Sequence, residues 1–210
     1  MKNILCYGDS NTWGYIPGGK GRYEYAVRWT GAAQRLLGDG YRIIEEGLNG
    51  RTTVFDSPFD GSVLNGKSHL MCCLMSHAPL DAVVIMLGTN DLMHSHKAWE
   101  ASRGCITLSR MVMNGALHFN AHTPRLLLVS PIHIGREIAE TDQSPLSVSG
   151  YEESLKFAPL YEQAAVRIGI DFLDAAKYAE PSPVDNEHMD AEGHAALAAA
   201  IADKLKTMLG

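Results

Sequence analysis

The chain has 210 residues, 46% hydrophobic and 20% charged, a composition that supports a full core and excludes disorder or a fibrous repeat. Eighteen basic against 24 acidic residues give a net charge of −6, so no basic field exists to attract nucleic acid. Four cysteines without C-x-x-C spacing make neither a disulfide framework nor a zinc site, and no apolar run reaches the length of a membrane span. Free thiols and an N-terminal apolar stretch too short for a leader predict a cytoplasmic protein with no membrane partner.

The first predicted element is a strand, Ile4–Tyr7, stopped by Gly8. A helix follows over Trp29–Leu37, apolar at helical spacing and stopped by Gly38. Tyr41–Glu46 is the second strand and runs into Gly47. Residues 52–67 carry Asp56, Pro58, Asp60, Gly61, Asn65 and Gly66 and read as a long loop. Ala82–Leu87 is the third strand, ended by Gly88. Lys97–Phe119 is a long amphipathic helix without proline. Leu126–Ser130 is the fourth strand, ended by Pro131. Residues 132–150, with Gly135, Pro145 and Gly150, read as a second long loop. Tyr151–Ile168 is helical, with Pro159 expected to kink or split it. Ile170–Leu173 is the fifth strand, and Asp190 caps a last helix through Leu209.

The strands are short, continuous and rich in β-branched residues, the pattern of strands buried on both faces. Their alternation with helices predicts an α/β fold: a central parallel sheet of about five strands, helices on both faces, in one domain over 1–210.

In such a sheet the site lies beyond the carboxyl ends of the strands. There the sequence places Gly8-Asp9-Ser10-Asn11-Thr12, Gly47-Leu48-Asn49-Gly50-Arg51-Thr52 and Gly88-Thr89-Asn90-Asp91, and later Asp185-Asn186-Glu187-His188. These blocks hold what acyl transfer needs. A serine hydroxyl such as Ser10 becomes a nucleophile once a base takes its proton, and His188 can be that base. Asp185, three residues earlier, can fold back onto the other ring nitrogen. The backbone amides of Ser10 and Gly50 and the carboxamide of Asn90 can hold an oxyanion.

The blocks resemble those of the SGNH hydrolases, the GDSL-type esterases and lipases, in order and spacing over nearly the whole chain. Gly8–Gly14, Val27–Gly31, Glu45–Thr53 and Ile85–Asp91 look like the arylesterase and acyltransferase branch. The resemblance implies a flavodoxin-like three-layer α/β/α sandwich and a Ser10, His188 and Asp185 triad. It also implies an oxyanion hole of Ser10, Gly50 and Asn90. The substrates it implies are small acyl esters such as aryl acetates, with acyl transfer to alcohols in some members, no cofactor, and often a homo-oligomer; the long loops 52–67 and 132–150, taken with the resemblance, suggest self-association through those loops. A carbohydrate acetylesterase, or a lysophospholipase or thioesterase, on the same scaffold is the alternative. Gly50 departs from the alanine of some close relatives but keeps the amide donor, and 132–150 departs from the branch.

Each residue also has a plain structural reading. Ser10 alone can cap the helix after the first strand; Asp9 points away from it and suits a fold-supporting hydrogen bond. Asn90 alone is a turn residue, and Asp91 reads as structural. Trp13 either lines a small acyl pocket or packs. Trp29 reads as core and Cys6 as an inert small hydrophobe. Arg51 either forms a salt bridge within its block or anchors an oligomer contact. His194 reads as a surface residue of the last helix. His94 with His96, and His118 with His122, have metal-like spacing but no third ligand, so no metal is expected. Met71, Met75, Met86, Met93, Met111 and Met113 read as gap-filling core. An α/β-hydrolase elbow, Gly-x-Ser-x-Gly, fails at Thr12, and the dinucleotide fingerprint is absent after the first strand.

Overall fold

A computed structural model describes residues 1–58, 60–140 and 148–210; Phe59 and 141–147, with Pro145 of the second loop, lie outside the described residues. Five strands, β1 (Lys2–Gly8), β2 (Tyr41–Gly47), β3 (Ala82–Met86), β4 (Arg125–Ser130) and β5 (Asp171–Asp174), form one parallel sheet in the order β2-β1-β3-β4-β5. Chain order reverses between β1 and β3. The crevice at their carboxyl ends is where such sheets bind ligands.

The helices are α1 (Ser10–Trp13), α2 (Trp29–Leu37), α3 (Gly66–Ser76), α4 (Thr89–Met93), α5 (Ala98–Phe119), α6 (Val148–Ser154), α7 (Phe157–Ile168) and α8 (Ala191–Leu209). Alternation along the strands builds two cores. Ile4 and Cys6 of β1, with Val84 and Met86 of β3, meet Trp29 and Ala33 of α2 and Leu197, Ile201 and Leu205 of α8. Leu5, Tyr7, Val83 and Ile85 point the other way, onto Leu70 and Leu74 of α3, Cys105 and Leu108 of α5, and Phe157 and Tyr161 of α7. This is the three-layer α/β/α arrangement.

Several expectations need correction. The edge strands β2 and β5 are only partly buried, because each has a neighbour on one side alone. The loop 52–67 ends early: Asn65 caps α3 by accepting a hydrogen bond from the Lys67 amide at 2.9 Å, and a helix starts at Gly66. The break ahead of α7 falls at Leu155–Lys156 rather than at Pro159, which sits in the first turn of α7 where a missing N–H costs nothing. Met75 is exposed, whereas Met86 lies in one core and Met71, Met93, Met111 and Met113 pack against the other.

His194 is fully buried rather than on the surface. It belongs to the stripe Gly193, His194, Leu197, Ala198, Ile201 and Leu205 that α8 turns inward at helical spacing. Its Nδ1 accepts a hydrogen bond from the Trp29 amide at 3.2 Å and caps α2, whose own N-cap Arg28 supplies no side-chain bond. The edge of Tyr23 covers the ring at 5.3 Å. Burial pushes the His194 pKa down to about 4, so the imidazole is neutral and its proton sits on Nε2.

Candidate active site

The first strand delivers Ser10 through a close approach. A Cβ on Gly47 would lie 2.2 Å from the Trp13 amide nitrogen, and one on Gly8 would lie 2.0 Å from Thr12 Oγ1. Only because both positions are bare can the single turn α1 sit on the ends of β1 and β2. Asp9, not Ser10, caps that turn, accepting a hydrogen bond from the Asn11 amide at 3.1 Å. The Ser10 hydroxyl is therefore free of capping duty. Burial pushes the Asp9 carboxyl up to about 7.

The turn before α8 supplies the partners. His188 Nε2 stands 2.9 Å from Ser10 Oγ, and His188 Nδ1 stands 2.9 Å from Asp185 Oδ2. Asp185 Oδ1 accepts the Glu187 and His188 backbone amides at 3.1 and 3.0 Å, so the three-residue spacing closes a turn on its own carboxylate. Asn186 takes a left-handed φ of 58°, which asparagine tolerates, and its carbonyl accepts the Gly135 amide at 2.7 Å. Burial opposes ionisation of Asp185, but the His188 ring and the backbone amides outweigh it and hold the carboxyl below its usual range. Burial likewise disfavours charge on His188, yet Asp185, with Glu187 and Asp9 nearby, raises its pKa above 6.5. A carboxylate only accepts hydrogen bonds, so Nδ1 of the neutral ring carries the proton and Nε2 offers a lone pair to the Ser10 hydroxyl.

The second and third blocks interlock beside Ser10. Gly50 holds a left-handed φ of 75° in the turn after β2. Arg51 makes no salt bridge among the described residues. It is buried, its guanidinium lies 4.0 Å over the Tyr7 ring, and Nη1 donates to the Gly8 carbonyl at 2.8 Å and to the Glu46 carbonyl. Asn90 Nδ2 donates to the Arg51 carbonyl at 3.2 Å, which fixes the carboxamide and leaves its second N–H for another acceptor. Asp91 accepts from the Thr53 amide at 3.0 Å and from the Thr53 hydroxyl, tying the two blocks together. Burial pushes its carboxyl up to about 7 against those bonds. Trp13 is half-buried beneath the Arg22 guanidinium, 4.8 Å away, with the Tyr15 ring 6.4 Å distant.

Sequence reasoning missed Asn11. Its Nδ2 donates to the Glu187 carbonyl at 3.4 Å and its Oδ1 accepts the Met189 amide at 3.0 Å, clamping the His188 turn onto α1. Its place directly after Ser10 was the only signal. Gly61–Ser68 fits the phosphate-loop pattern Gly-x-x-x-x-Gly-Lys-Ser. The stretch does not follow a strand of the sheet. The Gly66 and Lys67 amides already donate to the Thr52 and Thr53 carbonyls, both at 3.1 Å, so no phosphate cradle is open. Among the described residues no group of three His, Cys, Asp or Glu is placed to hold a metal ion. His96 instead stacks on Phe55 at 3.6 Å. Cys6 is buried, and none of the four cysteines is disulfide-bonded. No described helix is long and apolar enough to cross a membrane.

The family model of the GDSL-like lipases/acylhydrolases matches residues 6–196. Among solved structures the chain is similar to Est24, a carbohydrate acetylesterase from Sinorhizobium meliloti. Identity is 37% over 99% of this chain and 100% of that one, with a TM-score of 0.88. It is similar as well to the native aryl esterase of M. smegmatis, at 34% identity over 100% of both chains and a TM-score of 0.90. No curated protein matches the sequence. A family match over nearly the whole length, on a parallel five-stranded sheet, makes this chain a member of the GDSL-like lipase/acylhydrolase family and a carboxylic ester hydrolase.

Proposed function

We propose that the chain is a serine esterase of small acyl esters, working through a covalent acyl-enzyme on Ser10. The observation that carries the reading is one imidazole, His188, at 2.9 Å from both the Ser10 hydroxyl and the Asp185 carboxylate. His188 Nε2 takes the Ser10 proton as Oγ bonds to the ester carbonyl carbon. The Ser10 and Gly50 amides and the free N–H of Asn90 then hold the oxyanion. Asp185 keeps the imidazolium oriented and compensates its charge. Nε2–H passes the proton to the leaving alkoxide as the carbon–oxygen bond breaks, and the alcohol departs. Water, or a second alcohol, gives its proton to Nε2 and attacks the acyl carbon. The proton returns to Ser10 Oγ as the acid or the new ester leaves. Acyl transfer is the outcome when an alcohol outcompetes water.

Aryl and alkyl acetates are the proposed substrates, with Trp13 facing the acyl side. The aryl esterase relative favours this reading. Sugar acetates are the second reading, favoured by the carbohydrate acetylesterase relative. The test is turnover of p-nitrophenyl acetate, butyrate and octanoate and of an acetylated sugar, with Ser10→Ala alongside. The expected result is turnover that falls with chain length and drops at least about a thousandfold in Ser10→Ala, whose folding is unchanged. A Ser10→Ala protein retaining more than a few per cent of activity refutes the assignment.

A further inference from the structure

Residues 14–23 form a strap over the acid–base pair. Gly14 ends α1, and the Tyr23 amide donates to the Gly14 carbonyl at 2.7 Å, closing the base of the strap. Tyr15 pairs with Arg22 as an antiparallel bridge, and the Ile16 amide donates to the Gly21 carbonyl at 2.8 Å. The base is tied to the edge strand β2. Arg28 Nε donates to the Tyr23 carbonyl at 2.8 Å while its Nη1 meets Glu45 Oε2 at 2.9 Å. Arg22 Nε donates to the Trp13 carbonyl at 2.7 Å, and its Nη2 lies 3.9 Å from the same Glu45 oxygen. Arg28 and Glu45, which take no part in the chemistry above, thus fix this segment.

The strap reaches the pair at two points. The Tyr15 ring centroid lies 4.4 Å from that of His188, at 36° between planes. The Gly18 amide donates to Asp185 Oδ2 at 3.1 Å, the oxygen that also faces His188 Nδ1. Gly18 has a left-handed φ of 77°, and a Cβ there would lie 2.9 Å from Val184 Cγ1, so the approach depends on glycine.

We propose that the strap is the positioning element of the base: Tyr15 holds the His188 imidazole and meets the positive charge it gains during turnover, and the Gly18 amide holds Asp185. The inference rests on the esterase reading above. An aromatic face attracts a cation far more than a neutral ring. Tyr15 therefore supports the imidazolium of the transition state more than the neutral base of the ground state, which is the kind of contact that raises kcat. The other groups facing His188 are Asp185 and Glu187 from its own turn, Asp9 from the turn before α1, and His194 from α8. None of them changes in a Tyr15 variant.

The experiment compares wild type, Tyr15→Leu and Tyr15→Phe, recording kcat and KM for p-nitrophenyl acetate across pH and the His188 pKa by NMR. Tyr15→Leu is expected to lower kcat about two- to thirtyfold, the range of a cation–π contact, with KM within about twofold. Its pH–rate limb and its NMR pKa move down together, by about half a unit or more. Tyr15→Phe keeps the wild-type values. Tyr15→Met, bulky but without a π face, repeats the test if the leucine protein does not fold. Unchanged kcat and pKa in Tyr15→Leu, a raised KM with an unmoved pKa, or a Tyr15→Phe protein as impaired as Tyr15→Leu would each overturn the proposal. Esters turned over no faster by wild type than by Ser10→Ala would sink the esterase reading instead, and the NMR titration would still decide whether Tyr15 supports His188.

Discussion

Replacing His194 by asparagine removes a titrating group from the core while keeping an acceptor for the Trp29 amide. The unfolded chain binds a proton on His194 as the pH falls through 6.5, whereas the folded chain does so only near 4. The stability that comes from keeping the ring neutral is thus fully present above pH 6.5 and is lost as the pH falls toward 4. The whole shift is worth about 3 kcal/mol, and the part expressed between about pH 7.5 and about pH 5 is roughly 2 kcal/mol. Other groups oppose it. Asp9 and Asp91, raised from 3.8 to about 7, bind protons more readily when folded, and so stabilise the fold as the pH falls through the same window. His188, raised above 6.5, acts in the same sense: its contribution is present below 6.5 and is lost as the pH rises through its folded value. The net slope of the wild type therefore mixes both signs, and only a difference isolates His194. Urea unfolding of both proteins at the two pH values is the assay. Wild type should lose roughly 2 kcal/mol more than His194→Asn on acidification. Parallel losses in the two proteins would show that His194 does not stay neutral in the fold.

Two further outcomes follow from the site. Asn90→Ala should lower kcat for p-nitrophenyl acetate about 10²- to 10³-fold, as loss of one oxyanion donor does, with thermal unfolding showing an intact fold; a change under about threefold would remove Asn90 from the oxyanion hole. Because His188 must be neutral to accept the Ser10 proton and its pKa is raised, kcat/KM should climb with pH through a limb lying above 6.5. A limb below 6.5 would contradict the support that Asp185 gives the ring.

The sheet was legible because its central strands are continuous apolar runs and Gly8, Gly47 and Gly88 punctuate strand ends, where they mark close approaches or left-handed turns. That Ser10, His188 and Asp185 could meet was legible because the end of β1 and the turn before α8 lie on one rim of the sheet. What escaped were residues whose work is done through main-chain atoms. Asn11 clamps two backbone groups 176 and 178 positions away, and Arg51 spends its guanidinium on two carbonyls. Such bonds leave no charge partner or spacing for a sequence to display. His194 was misread for a different reason: its apolar neighbours at helical spacing were visible, but a histidine on an inward stripe suggests the surface until its cap partner, Trp29, is placed beside it.

The 178 positions between Ser10 and His188 also impose an order in time. A chain is made from its N-terminus, so the serine is synthesised first, and the base is added only after all five strands have been made. Closing so long a loop costs entropy that only the finished sheet, with α8 docked across α2, can offset. On the esterase reading, an incomplete or partly unfolded chain carries a serine without its base. Under that reading activity and structural completeness rise together, and the rate of ester turnover would report how much of the population has α8 in place.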